Sequence, residues 1–334
     1  MQSERKGPKR TNKGESTEMQ PVDTIEAKVT RRIAFGRQIP ERLNLVIATV
    51  VLLIYLSLFF GVTLLAGHEF WLFALVILCF LISTPTIWGL AHEGIHGRLL
   101  RHPSANRTAS RVLCVLLGFS FDAVQFGHLM HHRYNGHQYD RPDRAVEAEH
   151  AWKSWARHWV HLLGGHYLFT AIVSVVAFGP ARLRQLALQG AISGPDPDMV
   201  AMRHAALKCF SDPQRIGRIR IDCIVSVLLI FLAAVHYGAF WPVLVLALCA
   251  RAFLYSTLDN LPHYGAQGRG NTAAKNLSLP QWASLIVLNH NLHRVHHERP
   301  DLPWRAVSAH FGKTRTDGSY LLAAIRQFSG PSRT

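Results

Sequence analysis

Four apolar stretches constrain this chain more than any other feature. "LNLVIATVVLLIYLSLFFGVTLLAG" (43–67) carries no charge and is long enough to cross a hydrocarbon layer of about 30 Å as a helix. After only "HEF", "WLFALVILCFLISTPTIWGLA" (71–91) follows. Later, "IVSVLLIFLAAV" (224–235) and "FWPVLVLALCARAFLYSTL" (240–258) flank the brief "HYGA". In lipid the backbone must satisfy its own hydrogen bonds, so each stretch is expected to be helical. Connections this short leave room only for tight turns. The expected fold is all-α and integral to a membrane, with four transmembrane helices arranged as two hairpins. Arg251 is the one charge within the four stretches; it is expected near the end of its span, where it could snorkel or pair.

The loop charges give an orientation. Neither hairpin tip carries Lys or Arg. Arg31, Arg32, Arg37 and Arg42 precede the first hairpin, Arg98 to Arg144 crowd the central segment, and Arg294 to Arg315 follow the second. The positive-inside rule then places the three polar portions and both termini in the cytoplasm, as a helical cap on the bundle. The expected location is a bacterial inner membrane, crossed several times. Residues 1–40 show no apolar period and are expected to be a disordered basic tail, followed by a single membrane domain over 41–328. The first apolar run lies too far in to be a cleaved signal peptide.

One stretch fits less well. "HWVHLLGGHYLFTAIVSVVAFG" (158–179) is apolar enough for a fifth span, but a fifth crossing would put the central and final polar portions on opposite sides. Trp and Arg precede it, so it is expected to lie in the membrane plane or to be re-entrant.

Composition agrees with a membrane protein: 49% of the 334 residues are hydrophobic, 17% are charged, and mean hydropathy is +0.10. The net charge of +15 is spread over every polar segment rather than stacked on one helix or arm, so no nucleic-acid partner is expected. Cys79, Cys114, Cys209, Cys223 and Cys249 are odd in number and widely spaced, and they read as reduced, packed thiols.

The polar segments next to the spans hold three histidine clusters. "HEGIH" puts His92 and His96 one helical turn apart, on one face. "HLMHH" gives His128, His131 and His132 at i, i+3, i+4, and "HRVHH" gives His293, His296 and His297 at the same spacing. Neutral imidazole is a strong ligand for Fe, Zn, Cu and Ni, and eight imidazoles exceed what one ion accepts, so at least two metal ions are implied. The inward glutamates of soluble helical di-iron proteins are absent. His68, His102, His158, His161, His166, His204, His236 and His310 are scattered and read as ordinary histidines.

These residues resemble the membrane-bound fatty acid desaturase and hydroxylase superfamily, which carries three histidine boxes on a four-span scaffold. The likeness covers about residues 43–310. It includes Asn135, Asp140 and Asp143 after the second box, and Pro300, Pro303 and Trp304 after the third. "DNLPHYG" is similar to the segment in which the family carries a further histidine, here His263, although Asp259 stands where asparagine is usual. The resemblance implies nine ligands: His92, His96, His128, His131, His132, His263, His293, His296 and His297. It also implies two non-haem iron ions and O2 as co-substrate. Glu93, His137, Asp259 and His290 are candidates to orient those ligands, since a metal-bound imidazole usually donates its other N–H to an acceptor.

The expected function is an O2-dependent desaturase acting on a fatty acyl chain, with electrons from a separate reductase or ferredoxin-type donor. A hydroxylase, a carotenoid ketolase and a 1-alkene-forming fatty acid decarboxylase share the same scaffold. A metal transporter or storage protein is the alternative from another class; it would carry ionisable residues inside the spans, which are nearly free of them.

Overall fold

A computed structural model describes residues 38–61, 63, 70–137, 140–141, 143–145, 150–312 and 315–332. Residues 1–37, nearly all of the expected basic tail, lie outside the described residues, as do 62 and 64–69 at the first expected hairpin tip.

The described chain is helical almost throughout. Helix α1 (Glu41–Leu56) runs into a π turn at Ser57–Gly61. Helices α2 (Phe70–Ile82) and α3 (Thr84–Ile95) follow, then α4 (Pro103–Leu116) and α5 (Phe121–Tyr134), which meet at 96°. Next come α6 (Ala151–Val160), a π turn at His161–Gly165, α7 (His166–Ile172) and a 3-10 turn at Val173–Phe178. Helices α8 (Ala181–Ala191) and α9 (Pro197–Cys209) lead to the long α10 (Pro213–Tyr237) and α11 (Trp241–Asn260). Short helices close the chain: α12 (Gln281–Ile286), α13 (His293–Glu298), α14 (Trp304–Phe311) and α15 (Tyr320–Arg326). The strands among the described residues are β1 (Leu277–Ser278) and β2 (Gly318–Ser319), which pair in parallel with Leu277 opposite Gly318.

Four helical stretches have the length and apolarity to cross a membrane: Glu41–Gly61, Trp71–Ile95, Ala151–Phe178 and Pro213–Asn260; the bent α4–α5 pair would be a fifth. The last of the four is 48 residues long and is interrupted at Gly238, whose φ of +53° suits a residue without Cβ. The interruption separates α10, at 25 residues, from α11, at 20, so each is long enough to span by itself. Leu45, Val46, Leu53, Leu78, Val227, Phe231, Val235 and Leu246 on these stretches point outward and are exposed, as expected of helices bathed in lipid. The stretch 158–179, expected to lie in the membrane plane or to be re-entrant, falls almost wholly within the 28-residue segment Ala151–Phe178, which has the length and apolarity of a span. It is broken at Leu163 and Gly164 (φ +112°), where Gly164 faces Ala252 of α11.

The core lies between α1, α2, α3, α4 and α11, where Tyr55, Phe80, Ile87, Leu90, Leu117 and Phe119 are buried. Arg251 belongs to this core. Its expected place near the end of a span is corrected by the helix bounds: α11 begins at Trp241 and ends at Asn260, which puts Arg251 midway. At 1% exposure it cannot snorkel. Its guanidinium instead donates to the Leu116 carbonyl at 2.9 Å and to the Tyr167 hydroxyl, beneath the rings of Tyr55, Phe80 and Tyr167. Carbonyl, hydroxyl and ring faces replace the water this cation has lost. The five cysteines are free thiols, as read from their spacing.

Candidate metal centre

The second histidine cluster sits on α5, and the start of that helix is fastened from outside. Ser120 precedes α5 in extended conformation without a side-chain cap of its own. The cap comes from Asp222 of α10, which accepts from the Phe121 amide at 3.1 Å and the Ser120 hydroxyl at 3.0 Å. Arg111 of α4 grips both Asp222 oxygens at 2.6 and 2.7 Å and reaches Asp122 at 2.6 Å, while Arg218 of α10 holds Asp122 at 2.8 Å. A carboxylate at a helix N-terminus satisfies orphan N–H groups and complements the helix dipole. Three helices are thus tied at the base of α5.

The third cluster is delivered by strained backbone. Leu288 and Asn289, just before α13, have φ of +49° and +57°. Asparagine tolerates that region, whereas leucine pays for it. Leu288 is held there by burial against Gly89 of α3, where a Cβ would lie 3.0 Å from its Cδ1. Asn289 is held by its amide donating to the Trp304 carbonyl at 3.0 Å.

The structure brings all nine histidines together in two sets. His92, His96, His128, His132 and His296 form one, and His131, His263, His293 and His297 the other; within each, one ligand nitrogen per residue lies within 4.8 Å of every other. The sets touch, with the His132 and His297 rings stacked at 4.3 Å. The i, i+4 pair of α5 (His128, His132) goes to the first set and the i+3 residue His131 to the second. On α13 the assignment is reversed: His293 and His297 join the second set, His296 the first. Each comb therefore serves both sets rather than one.

Inside the sets Nε2 faces Nε2. His96 and His128 are 2.9 Å apart, His128 and His132 3.0 Å, His132 and His296 3.0 Å, His131 and His263 3.2 Å, and His293 and His297 3.2 Å. Partners on the far side of two rings fix which nitrogen carries the proton. His131 presents Nδ1 to both Asp140 oxygens at 3.0 Å, and His263 presents Nδ1 to the Ala273 carbonyl at 3.0 Å. Acceptors there require Nδ1–H, so in the neutral rings both Nε2 lone pairs point at each other. Although burial opposes it, the Asp140 carboxylate also raises His131 above the ordinary imidazole value and favours a proton between them. Facing lone pairs repel unless a cation lies between them. Two imidazoles bound at right angles to an ion at about 2.1 Å would be separated by about 3.0 Å, close to the observed spacings. His92 Nε2 adds a buried nitrogen with no hydrogen-bond partner among the described residues. The donor set fits two metal ions held by nitrogen. Burial holds His263, His293, His296 and His297 well below the ordinary imidazole value, so they stay neutral and able to bind a metal.

Among the described residues the four orienting candidates have the following neighbours. Glu93 accepts the Trp304 amide at 3.0 Å, joining the first cluster to the segment after the third. Asp259 accepts the Trp88 indole N–H at 2.9 Å and meets His166 Nε2 at 3.0 Å. His137 faces Asp198 of α9 at 3.4 Å. His290 packs its ring 4.2 Å from His293 and 5.4 Å from His92. Asp140 and the Ala273 carbonyl are the acceptors that sequence reasoning did not assign. Asp140 stood in the polar run after the second box; nothing in the sequence marked Ala273.

A family model described as fatty acid desaturase matches residues 74–326, which takes in all nine histidines. No curated protein and no solved structure matches the chain.

Proposed function

The chain belongs to the fatty acid desaturase family, and on that premise we propose that it is a membrane-bound di-iron oxidoreductase that uses O2 and two electrons to desaturate a fatty acyl chain. The family is one of lipid-directed oxidoreductases, and the apolar helices and metal-binding histidine sets agree with it. The observation that carries the finer reading is the pairing of two adjacent, nearly all-nitrogen sets. His92, His96, His128, His132 and His296 would hold one iron, and His131, His263, His293 and His297 the other. Bound there, a pair of ferrous ions supplies the capacity to reduce O2 and take hydrogen from an unactivated C–H bond.

The remaining roles fall to this chain's own residues. Asp140 and the Ala273 carbonyl fix the tautomers of His131 and His263 so that Nε2 faces inward. Trp88 sets its ring beside His92 and His128, with Tyr255 packed behind it, and this buried surface helps to exclude water. The two-hairpin topology, with the histidines and both termini on the cytoplasmic side, belongs to the same reading. So does a separate acidic electron donor attracted to the basic face.

The test is iron analysis of the purified protein together with gas chromatography–mass spectrometry of lipids from an expressing host. About two irons per chain and new double bonds support the reading. Alcohols, ketones or 1-alkenes would move it to a hydroxylase, a ketolase or a decarboxylase on the same centre. Undiminished lipid oxidation with full iron in a His132→Ala or His297→Ala variant would overturn it.

A further inference from the structure

A cavity of about 300 Å3 opens beside His96, between the end of α3, the turn after it and the start of α5. That is within the size range of small-molecule sites. Its lining is divided by chemistry. Ile39, Ile95, Leu100 and Phe121 form an apolar wall, and Arg98, Arg101 and Arg107 bring three guanidiniums. His96 joins the space to the five-histidine set.

The polar backbone around it is already occupied. Asn106 accepts from the Leu99 and Leu100 amides at 3.0 and 3.1 Å and donates to the Gly94 carbonyl at 2.9 Å. Glu41 at the rim takes the Arg101 amide at 3.2 Å and stands 3.8 Å from its guanidinium, and the Asp301 and Glu93 carboxylates interact with Arg98. Arg107 has no ion pair among the described residues. Glu93, one residue from Gly94, is turned away to the Trp304 amide. With Arg98 and Arg101 facing carboxylates, Arg107 leaves the balance at the cavity positive, and the wall behind it is apolar.

We infer that this cavity binds the anionic head of an amphiphile, a carboxylate or phosphate carried on an alkyl chain. Guanidinium forks match the planar oxygens of either head, and the apolar wall takes the methylenes that follow. The inference rests on the proposed reading of the metal centre and deepens it: the substrate is a negatively charged fatty acyl compound, not a neutral lipid, and its head is held beside the five-histidine set.

The experiment measures binding without turnover, on the full-length, iron-loaded chain in non-ionic detergent under anaerobic conditions. Dodecanoate, dodecyl phosphate and dodecanol are titrated by calorimetry. At least one of the two anions is expected to bind about tenfold or more tighter than the alcohol. The Arg101→Gln/Arg107→Gln double variant is expected to lose that preference while keeping its dodecanol affinity and iron content. Equal affinities for all three ligands, or an anion preference that survives in the double variant, would overturn the inference. So would inorganic phosphate that competes as well as dodecyl phosphate, since it would show a free-anion site that ignores the chain. Iron content of the same samples keeps the two readings apart, because a chain without iron sinks the metal centre while the anion preference is still read.

Discussion

Replacing Asp222 with alanine tests how the second histidine cluster is held. The substitution removes a carboxylate that is 1% exposed and accepts four hydrogen bonds: two from Arg111, one from Ser120 and one from the Phe121 amide. Losing the cap on α5 costs about 1 kcal/mol. Breaking a fully buried pair costs about 3–5 kcal/mol, but Arg111 is 21% exposed and keeps Asp122 at 2.6 Å, so about 1–2 kcal/mol is the better figure. The sum is about 2–3 kcal/mol, or a fall on the order of 5 °C in thermal midpoint at fixed scan rate. Because α5 carries His128, His131 and His132, iron per chain should fall as well, and Asp222→Asn, which keeps the shape and one acceptor, should fall between wild type and alanine. Differential scanning fluorimetry and iron analysis on the same preparations give both numbers. An unchanged midpoint with a full complement of iron in Asp222→Ala would refute the clamp.

Asp140→Ala should weaken metal binding about 10- to 100-fold, read by competition with a chelator, while circular dichroism stays unchanged; full affinity would show that His131 needs no acceptor. Acid should destabilise the metal-free protein. His293, His296 and His297 titrate in the folded chain well below the ordinary value of about 6.5, so the unfolded chain binds more protons. Their stabilisation is therefore complete above about pH 6.5 and is lost as pH falls below it; a midpoint that holds or rises from pH 7.5 to 5 contradicts this. Gly94→Ala would place a Cβ 1.8 Å from Ser110 Oγ and 2.6 Å from its Cβ, where α3 meets α4, and should cost about 1–3 kcal/mol of stability. Adding Ser110→Gly should recover most of that loss in the same melting assay, and no recovery would place the strain elsewhere.

Much of this architecture can be read from sequence because lipid forbids alternatives. An uncharged run such as 43–61 is driven to be helical, and its side chains need not alternate between core and water. The histidine combs were legible for a related reason, since i, i+3, i+4 spacing keeps imidazoles within one helical sector. The spacing did not reveal that the i+3 tooth of each comb turns to a different set from the i, i+4 pair. A 300° advance against 400° is enough to divide two neighbouring sites, and only the partner helices decide which tooth goes where. Long-range acceptors were equally hidden. The cap of α5 was invisible because it comes from Asp222, about a hundred residues away, and caps are sought locally. Asp259 attracted attention as a departure from the family pattern, yet its oxygens are taken by Trp88 and by His166, a residue that read as ordinary. Arg251 was misplaced because the apolar run stops at Leu258, whereas the helix that holds it is centred on the arginine itself.

The contact between Glu93 and the Trp304 amide closes a loop of 211 residues, and both histidine sets draw members from beyond residue 290. During synthesis the ribosome must therefore deliver the chain as far as His296 and His297 before the two sets have their last donors. Until then the earlier imidazoles form incomplete sets, so on the proposed reading full metal binding would be a late, whole-molecule event.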